Sequence, residues 1–534
     1  MKTALFARRF SLLAATAIFT AAGFLYLAQY ALASSGDLDF SFSGDGKLAE
    51  RFLGSTEPAM SDDGGRAIAV QPDGKIVVAG RRRGTDGRYS FALIRYNVDG
   101  TRDASFGDIG KVATDIGEGH SEAHAVVLQP DGRIVAGGIS SVGFSLVRYE
   151  ADGSLDVTFG TGGIVETPGG VCSSLALQAD GKILAAGYSA GDDSDDFMIA
   201  RYESDGSPDA SFGDKGIVRT DFSGGSDQAR AVSIQSDGRI VAAGIARGHS
   251  NLVGIGIARY RTDGTLDRQF DRDGKLVAGI LFDNRSSQSA AYTLAIQPDG
   301  KIIAGGTAIL VTSYDLFLMR FHPNGERDYE FGSGGEVWIP IFDDVSIINN
   351  ILLQPDGKVV AAGYSVRFSP VRSEKQLVLR LNIDGSRDRS FGDNGFRSVS
   401  FNGGIKTGRE ISYGVALDDF GRIIIGGESS GRFSLARILC ETNPNPTVSI
   451  SGRVVSASES GIGNALVTLI DQNGITKRAY TGVFGYFRFD GVQPGAPYSI
   501  SAAAPRYIIP SPNRVINVDG DVSGVNFAAS ERLR

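Results

Sequence analysis

Gln71-Pro72-Asp73-Gly74-Lys75-Ile76-Val77-Val78-Ala79-Gly80 reads as a tight turn followed by an apolar strand. Pro fixes one φ angle, Asp caps the turn and Gly74 supplies the positive φ that other residues resist. The phrase returns around Gly132, Gly181, Gly238, Gly300 and Gly357, and in altered form as Leu417-Asp418-Asp419-Phe420-Gly421-Arg422. Recurrence of this kind marks a chain built from one supersecondary unit, each copy needing its neighbours to bury its faces.

Two further phrases recur with it. Leu38-Asp39-Phe40-Ser41-Phe42 places a Phe three residues after an Asp, and the pattern returns from Asp103, Asp156, Asp209, Asp267, Asp328 and Asp388. Each of these Asp residues is followed seven positions later by a Gly, from Gly46 to Gly395. The third phrase, Phe91-Ala92-Leu93-Ile94-Arg95-Tyr96, repeats its Arg as Arg148, Arg201, Arg259, Arg320, Arg380 and Arg437. All three phrases count to seven.

One copy reads as four strands: Lys47 to Phe52, Ala67 to Val70, Lys75 to Val78 and Phe91 to Asn97, the last closed by the turn Val98-Asp99-Gly100. The two middle runs are apolar without alternation, as in strands covered on both faces. Four short strands per unit of about fifty to sixty residues fit a propeller blade. A solenoid is the other repeat architecture, but an open stack needs polar end caps and none is seen. The expected fold is all-β: a seven-bladed β-propeller of four-stranded blades over residues 36–440, followed by a small β-sandwich.

A fixed offset ties two phrases together. Arg95 precedes Asp103 by eight residues, and the offset holds for Arg148–Asp156, Arg201–Asp209, Arg259–Asp267, Arg320–Asp328 and Arg380–Asp388. Arg437 lacks a following Asp and Asp39 lacks a preceding Arg, so these two are expected to meet across the ring closure. The spacing is read as ion pairs latching one blade to the next rather than as a ring of catalytic acids. The Phe of each Asp-x-x-Phe is expected to plug the gap between neighbouring blades.

These phrases together resemble the delta-60 repeat family, a β-propeller domain of exported bacterial proteins without an assigned biochemical function. The resemblance implies the fold and a bacterial source, and no site. It runs over residues 36–440 and departs at the seventh copy, where Leu417-Asp418-Asp419-Phe420-Gly421 replaces Gln-Pro-Asp-Gly. Residues 441–447 form a Pro/Asn linker. Beyond it, Val448 to Val455, Ala465 to Asp471, Thr476 to Thr481, Tyr486 to Phe489, Tyr498 to Ala502 and Val525 to Ala528 read as strands of a compact domain over 448–530. Ser451-Gly452-Arg453-Val454, Gly463-Asn464-Ala465-Leu466-Val467-Thr468-Leu469 and Gly485-Tyr486-Phe487-Arg488-Phe489 are similar to carboxypeptidase regulatory-like domains of transthyretin-like topology. The resemblance implies an accessory module and brings no peptidase residues.

The N-terminal 1–33 reads as a targeting segment: Lys2, Arg8 and Arg9 precede an apolar run from Phe10 to Ala33 that ends Ala31-Leu32-Ala33. Cleavage before Ser34 is expected, although the run is long enough to serve as an uncleaved anchor. Localisation is therefore extracellular or at the cell envelope. Net charge is −8, which disfavours nucleic acid and anionic membranes as partners. Seventy-two glycines suit many tight turns. Cys172 and Cys440 fall in distant repeats and are expected to be separate buried thiols.

Chemistry is sparse. The four histidines are His120, His124, His249 and His322. Glu118, His120, Glu122 and His124 have the look of a metal cluster but are read as a solvated loop leading into a strand. Asp271-Arg272-Asp273-Gly274 is half a calcium loop, without the distal Glu, and is read as a turn. The run Asp192-Asp193-Ser194-Asp195-Asp196 is the better calcium candidate, with Asp192, Asp193, Asp195 and Asp196 as ligands; no other cofactor is expected. No phosphate loop, nucleophile elbow or Cys–His pair is found.

Within a blade the strands alternate in direction, so the uniform Gln-Pro-Asp-Gly and Asp-Gly-x-x-Asp turns share one face. The other face carries loops that differ between copies, such as Arg81 to Asp86, Gly191 to Asp196 and Ser365 to Lys375. Variable loops on a rigid scaffold are where recognition resides. The expectation is a monomeric, non-catalytic binding scaffold whose protein or carbohydrate ligand docks on that face. A metal-dependent propeller enzyme of lactonase or quinoprotein type is the rival, and a purely structural surface protein the third reading.

Overall fold

The computed structural model describes residues 34–52, 62–189, 194–247, 253–282, 285–309, 314–341, 345–368, 372–401, 408–440, 448–471, 476–482, 484–492, 496–504, 506–518 and 522–531. The targeting segment 1–33 and the linker 441–447 lie outside them. No helix occurs among the described residues. The chain divides into two compact units, and Ser35–Cys440 forms the larger one.

That unit is a ring of seven four-stranded antiparallel blades, the fifth and sixth joined by a single bridge between Tyr314 and Val345. The first blade runs from its innermost to its outermost strand as Gly64–Val70, Ile76–Arg83, Tyr89–Tyr96 and Lys111–Thr114. The innermost strands of the next six are Glu122–Leu128, Val171–Leu177, Gln228–Ile234, Arg285–Ile296, Val345–Leu353 and Glu410–Leu417. The seventh blade takes its outermost strand from the start of the ring: Lys47–Glu50 pairs antiparallel with Phe433–Ile438. Hydrogen bonds between the two ends of the ring-forming chain thus close the circle, with the short strand Lys47–Glu50 as the outer edge of the seventh blade.

This closure corrects the reading of the repeat. The unit written in the sequence begins with a strand that the ring assigns to the preceding blade. The pairs Arg95–Asp103, Arg148–Asp156, Arg201–Asp209 and Arg320–Asp328, each 2.7 Å apart, and Arg380–Asp388 at 2.8 Å therefore lie within single blades. Arg259 reaches Asp267 at 2.8 Å through a terminal nitrogen rather than Nε. Arg437 meets Asp39 at 2.8 Å, inside the closing blade. The reach to the next blade comes from another nitrogen of the same guanidinium. Arg95 donates to the Ala151 carbonyl at 2.5 Å, Arg320 to the Ile383 carbonyl at 2.5 Å and Arg380 to the Cys440 carbonyl at 2.6 Å. A planar group with five donors can hold a carboxylate in its own blade and a carbonyl in the neighbour at once.

The Phe of Asp-x-x-Phe does sit between blades. Phe106 is fully buried, clustered with Val77 and Leu93 of its own blade and Ala123, Ile134 and Ala136 of the next. The Arg95 guanidinium stacks over its ring, 4.4 Å from the centroid. Burying such a ring contributes roughly 2–3 kcal/mol. Cys172 and Cys440 are both free and buried.

The C-terminal unit is a two-layer β-sandwich. One sheet pairs Tyr486–Val492, Val448–Ser456, Phe527–Glu531 and Tyr507–Ile508; the other pairs Thr476–Tyr480, Leu466–Ile470, Ala496–Ala503 and Asn513–Val518. Ile450, Val454, Val467, Leu469, Phe487 and Phe527 fill the space between them. The strands Tyr507–Ile508 and Asn513–Val518 are additions to the sequence reading: their exposed, Pro-flanked stretch lacks the apolar alternation that identified the rest.

Candidate functional site

Each innermost strand carries one extra residue. In the first blade the ladder jumps from Gly65 opposite Gly80 to Ala67 opposite Ala79, which leaves Arg66 unpaired. The same β-bulge frees His124 and Ser173 in the second and third blades, and Arg230 in the fourth. It frees Tyr292, Asn349 and Tyr413 in the last three. A bulge re-aims its extra side chain, and here all seven turn toward the ring axis. Together with the residues that follow them they line one axial cavity of about 590 Å³, within the roughly 300–1,000 Å³ range of small-ligand sites.

The bulge explains the glycine that ends the fold-deciding phrase. A Cβ on Gly80 would lie 2.0 Å from the Gly64 carbonyl oxygen, because the bulge pushes that carbonyl onto the second strand. Gly138, Gly187, Gly244, Gly306, Gly363 and Gly427 face the equivalent carbonyl at 2.0 Å or less. One glycine per blade thus makes room for one axial side chain.

The bulged side chains fall into two electrostatic groups. Around the seventh, first and second blades they form a closed network. Arg66 Nε lies 2.5 Å from Glu122 and a terminal nitrogen lies 3.1 Å from Glu428. Arg81 holds the other Glu122 oxygen at 2.8 Å, and the Arg66 guanidinium stacks 4.3 Å over the Tyr413 ring. Burial pushes the Glu122 carboxyl up, but Arg66, His124 and Arg81 outweigh it and hold the group below its ordinary range. Glu428 is raised, chiefly by burial.

The opposite wall is open. His124 Nδ1 is 3.0 Å from the Cys172 carbonyl, which can only accept, so Nδ1 carries the proton and Nε2 offers a lone pair. Burial holds this imidazole below its ordinary pKa despite Glu122 nearby. The Ser173 hydroxyl is buried without a hydrogen-bond partner. Arg230 stacks 5.2 Å over Tyr188 and donates a terminal nitrogen to Gln228. Its buried Nε has no partner, and it pairs with no carboxylate among the described residues. Asn349 spends Nδ2 on the Ser412 carbonyl at 2.8 Å and keeps its oxygen as an acceptor. Burial raises the Tyr292 phenol.

The sequence reading placed chemistry elsewhere. Glu122 and His124 are axial strand residues, not members of a solvated loop; Glu118 lies in the exposed turn before the strand, and His120 sits at the strand's approach, where it stacks on Tyr89 at 5.2 Å. Of the proposed calcium ligands, Asp192 and Asp193 lie outside the described residues. Asp195 accepts from Gln228 at 2.7 Å. Asp196 instead meets Asp221 and Asp227, their carboxylates within 4.8 Å of one another. Asp227 already accepts the backbone N–H of Phe222 at 2.8 Å and of Arg247 at 2.7 Å, which is a loop-fastening role. Among the variable loops, Arg81 to Arg83 and Ser365 to Arg367 are strand ends. Residues 190–193 and 369–371 lie outside the described set.

Two family models agree with the architecture. The family model of the "domain of unknown function (DUF5122) beta-propeller" matches residues 71–106, 129–159, 178–212, 235–270, 297–331 and 354–391. A carboxypeptidase regulatory-like domain matches 449–530. No curated protein matches the sequence. Among solved structures, Sqt1 of Chaetomium thermophilum, bound to the N-terminus of ribosomal protein L10, is 12% identical with a TM-score of 0.39, covering 71% of this chain and 97% of that one. The polysaccharide lyase Uly1 is 9% identical with a TM-score of 0.40, covering 77% and 98%. A protein of unknown function from Bacteroides caccae is 11% identical with a TM-score of 0.31, covering 61% and 98%.

Proposed function

We propose that this chain, whose repeats match the DUF5122 β-propeller family and whose C-terminal unit matches a carboxypeptidase regulatory-like domain, is an exported, monomeric binding protein that receives its ligand in the axial channel. One observation carries this reading. Within an inner hairpin whose turn and second strand are nearly uniform from blade to blade, the bulged position is polar in every copy and differs between each pair of adjacent blades, from Arg66 through Ser173 to Tyr413. Structural demand would repeat one residue type; a shaped polar surface needs a mixture, and the seven positions carry five types, Arg, His, Ser, Tyr and Asn. In five of the seven innermost strands the bulge lies in the first half, toward the end from which the variable loops spring, so the variable face and the channel mouth coincide.

Binding without turnover suits the side chains. Glu122 and Glu428, the acids nearest the cavity, are committed to Arg66 and Arg81, and no acid stands free beside His124 to form a catalytic pair among the described residues. Export rests on the basic and apolar pattern of residues 1–33. The ligand is a carbohydrate or a protein segment slim enough to enter, with the C-terminal unit as accessory module.

The test uses residues 34–534 and a variant, Ser173→Trp, whose indole fills the channel. Both are screened by thermal shift against a panel of glycans, organic acids and peptides. Ligands that stabilise the wild type and not the plugged variant support the reading. Ligands that stabilise both equally place binding elsewhere and sink it.

A further inference from the structure

We infer that the channel is selective for a carboxylate-bearing saccharide, its acid group held by Arg230 and its hydroxyls by the wall from His124 to Asn349. The inference rests on the channel being the ligand site and adds the ligand's chemical class.

Charge comes first. Two guanidinium groups occupy bulged positions, and their situations differ. Arg66 is neutralised on both sides by Glu122 and Glu428. Arg230 has a neutral amide, Gln228, and the face of Tyr188, and its Nε is buried without an acceptor. A buried donor on a charged group without an acceptor costs free energy, and a carboxylate is the acceptor whose geometry matches adjacent guanidinium N–H groups. Phosphate would also be attracted. A dianion, however, would have the single guanidinium of Arg230 to balance its two charges, which a carboxylate matches one to one.

The rest of the wall is built for hydroxyls. Ser173 stands in the blade next to Arg230, its buried Oγ unpartnered, able both to donate and to accept. His124 presents a lone pair at Nε2 because its proton is held on the Cys172 carbonyl. Asn349 offers its amide oxygen. Tyr292 and Tyr413 add aromatic faces to the same cavity. A short row of acceptors and donors with one unspent positive charge, flanked by rings, complements a sugar acid better than an apolar acid or a peptide. The cavity volume of about 590 Å³ leaves space for more than one sugar ring.

The experiment is isothermal titration of residues 34–534 with sodium D-glucuronate, with a galacturonate trimer and with D-glucose, repeated on Arg230→Gln and Arg230→Lys. Thermal melts of each variant verify that it folds. The expected result is that acidic probes bind at least tenfold more tightly than glucose. Arg230→Gln should remove that preference and Arg230→Lys should restore part of it. Monomer and trimer binding alike would identify a free sugar acid as the ligand; trimer binding alone would identify a residue within a polymer. Glucose binding as tightly as glucuronate, or acid binding that ignores Arg230→Gln, overturns the inference while the channel remains a ligand site. If no acid binds and another ligand is lost in Ser173→Trp, the inference again fails alone. If no ligand responds to that plug, the channel reading fails and takes the inference with it.

Discussion

Arg437 and Asp39 stand 398 residues apart in the chain and 2.8 Å apart in space, both buried, and this pair locks the two ends of the propeller together. Asp39 is shared with Arg422, at 2.9 Å, a residue of the altered seventh turn Asp418-Asp419-Phe420-Gly421-Arg422. The seventh copy therefore keeps the second cation that Lys75 supplies to Asp103 at 3.0 Å in the first blade. Its departure from Gln-Pro-Asp-Gly changes the turn and preserves the latch.

Removing one partner of this pair strands a buried charge. Arg437→Met should lower unfolding free energy by about 3–5 kcal/mol. Urea unfolding followed by tyrosine fluorescence measures the loss. Hydrogen exchange should localise the first damage to Lys47–Glu50, the strand held only by Phe433–Ile438. A loss under 1 kcal/mol, or protection of that strand unchanged, would show that the strand hydrogen bonds close the ring without the ion pair.

The blade acids make a second prediction. Burial pushes Asp103, Asp156, Asp209, Asp328 and Asp388 up, yet each is held below its ordinary range by hydrogen bonds and neighbouring cations, such as Ser105, Lys75 and Arg95 around Asp103. A carboxyl depressed in the folded state stabilises it above the unfolded pKa, about 3.9, and that contribution is lost as pH falls toward the folded value. Melting temperature should thus hold steady, as far as these acids govern it, above about pH 5 and drop steeply below about pH 4. Asp103→Asn should flatten the drop. A melting curve that declines evenly from pH 6 to pH 3 in both proteins would refute this account.

The Phe plugs depend on a facing glycine. Gly153, at φ +87°, sits where a Cβ would lie 2.8 Å from the Phe106 ring. Gly153→Ala combines the left-handed backbone penalty of about 1 kcal/mol with displacement of a packed aromatic, for a total of roughly 2–4 kcal/mol. Gly162 also has a positive φ, +62°, but open space around it. Gly162→Ala should cost only the backbone part, and comparing the two by urea denaturation separates strain from packing. Equal losses would mean that the plug adapts at no cost.

These relationships differ in how far the sequence discloses them. The ring, its repeat count and the meeting of Arg437 with Asp39 follow from phrases that recur, because recurrence is visible without coordinates. Blade boundaries do not: repetition has no starting point, and only the pairing of Lys47–Glu50 with Phe433–Ile438 decides which strand belongs to which blade. The axial site escaped for the opposite reason. Arg66, His124 and Arg230 occupy a column eight residues before each turn glycine that changes from copy to copy, and attention to what repeats passes over it. The bulge also breaks the two-residue alternation by which an inward side chain is recognised. A trace was present. Gly80 and its six counterparts recur at the end of an apolar strand, where a glycine signals close approach of another backbone.

His124 supplies the last prediction. Burial lowers its pKa in the folded protein, so the unfolded chain binds the proton more readily between the folded value and about 6.5. Stability therefore rises with pH across that interval and is lost as pH falls from about 6.5 toward the folded pKa. The group is neutral at pH 7, and His124→Gln should leave the pH 7 melting temperature little changed while removing its share of the dependence as pH falls below about 6.5. Glu122 opposes the shift through its charge, 4.0 Å from Nε2. Glu122→Gln should accordingly lower the imidazole pKa further and steepen the loss of stability at mildly acidic pH. Direct titration of the His124 ring by NMR, in the wild type and in Glu122→Gln, reads both effects. An imidazole titrating at or above 6.5 would show that the channel holds water enough to solvate the cation, and would remove the neutral acceptor from the axial wall.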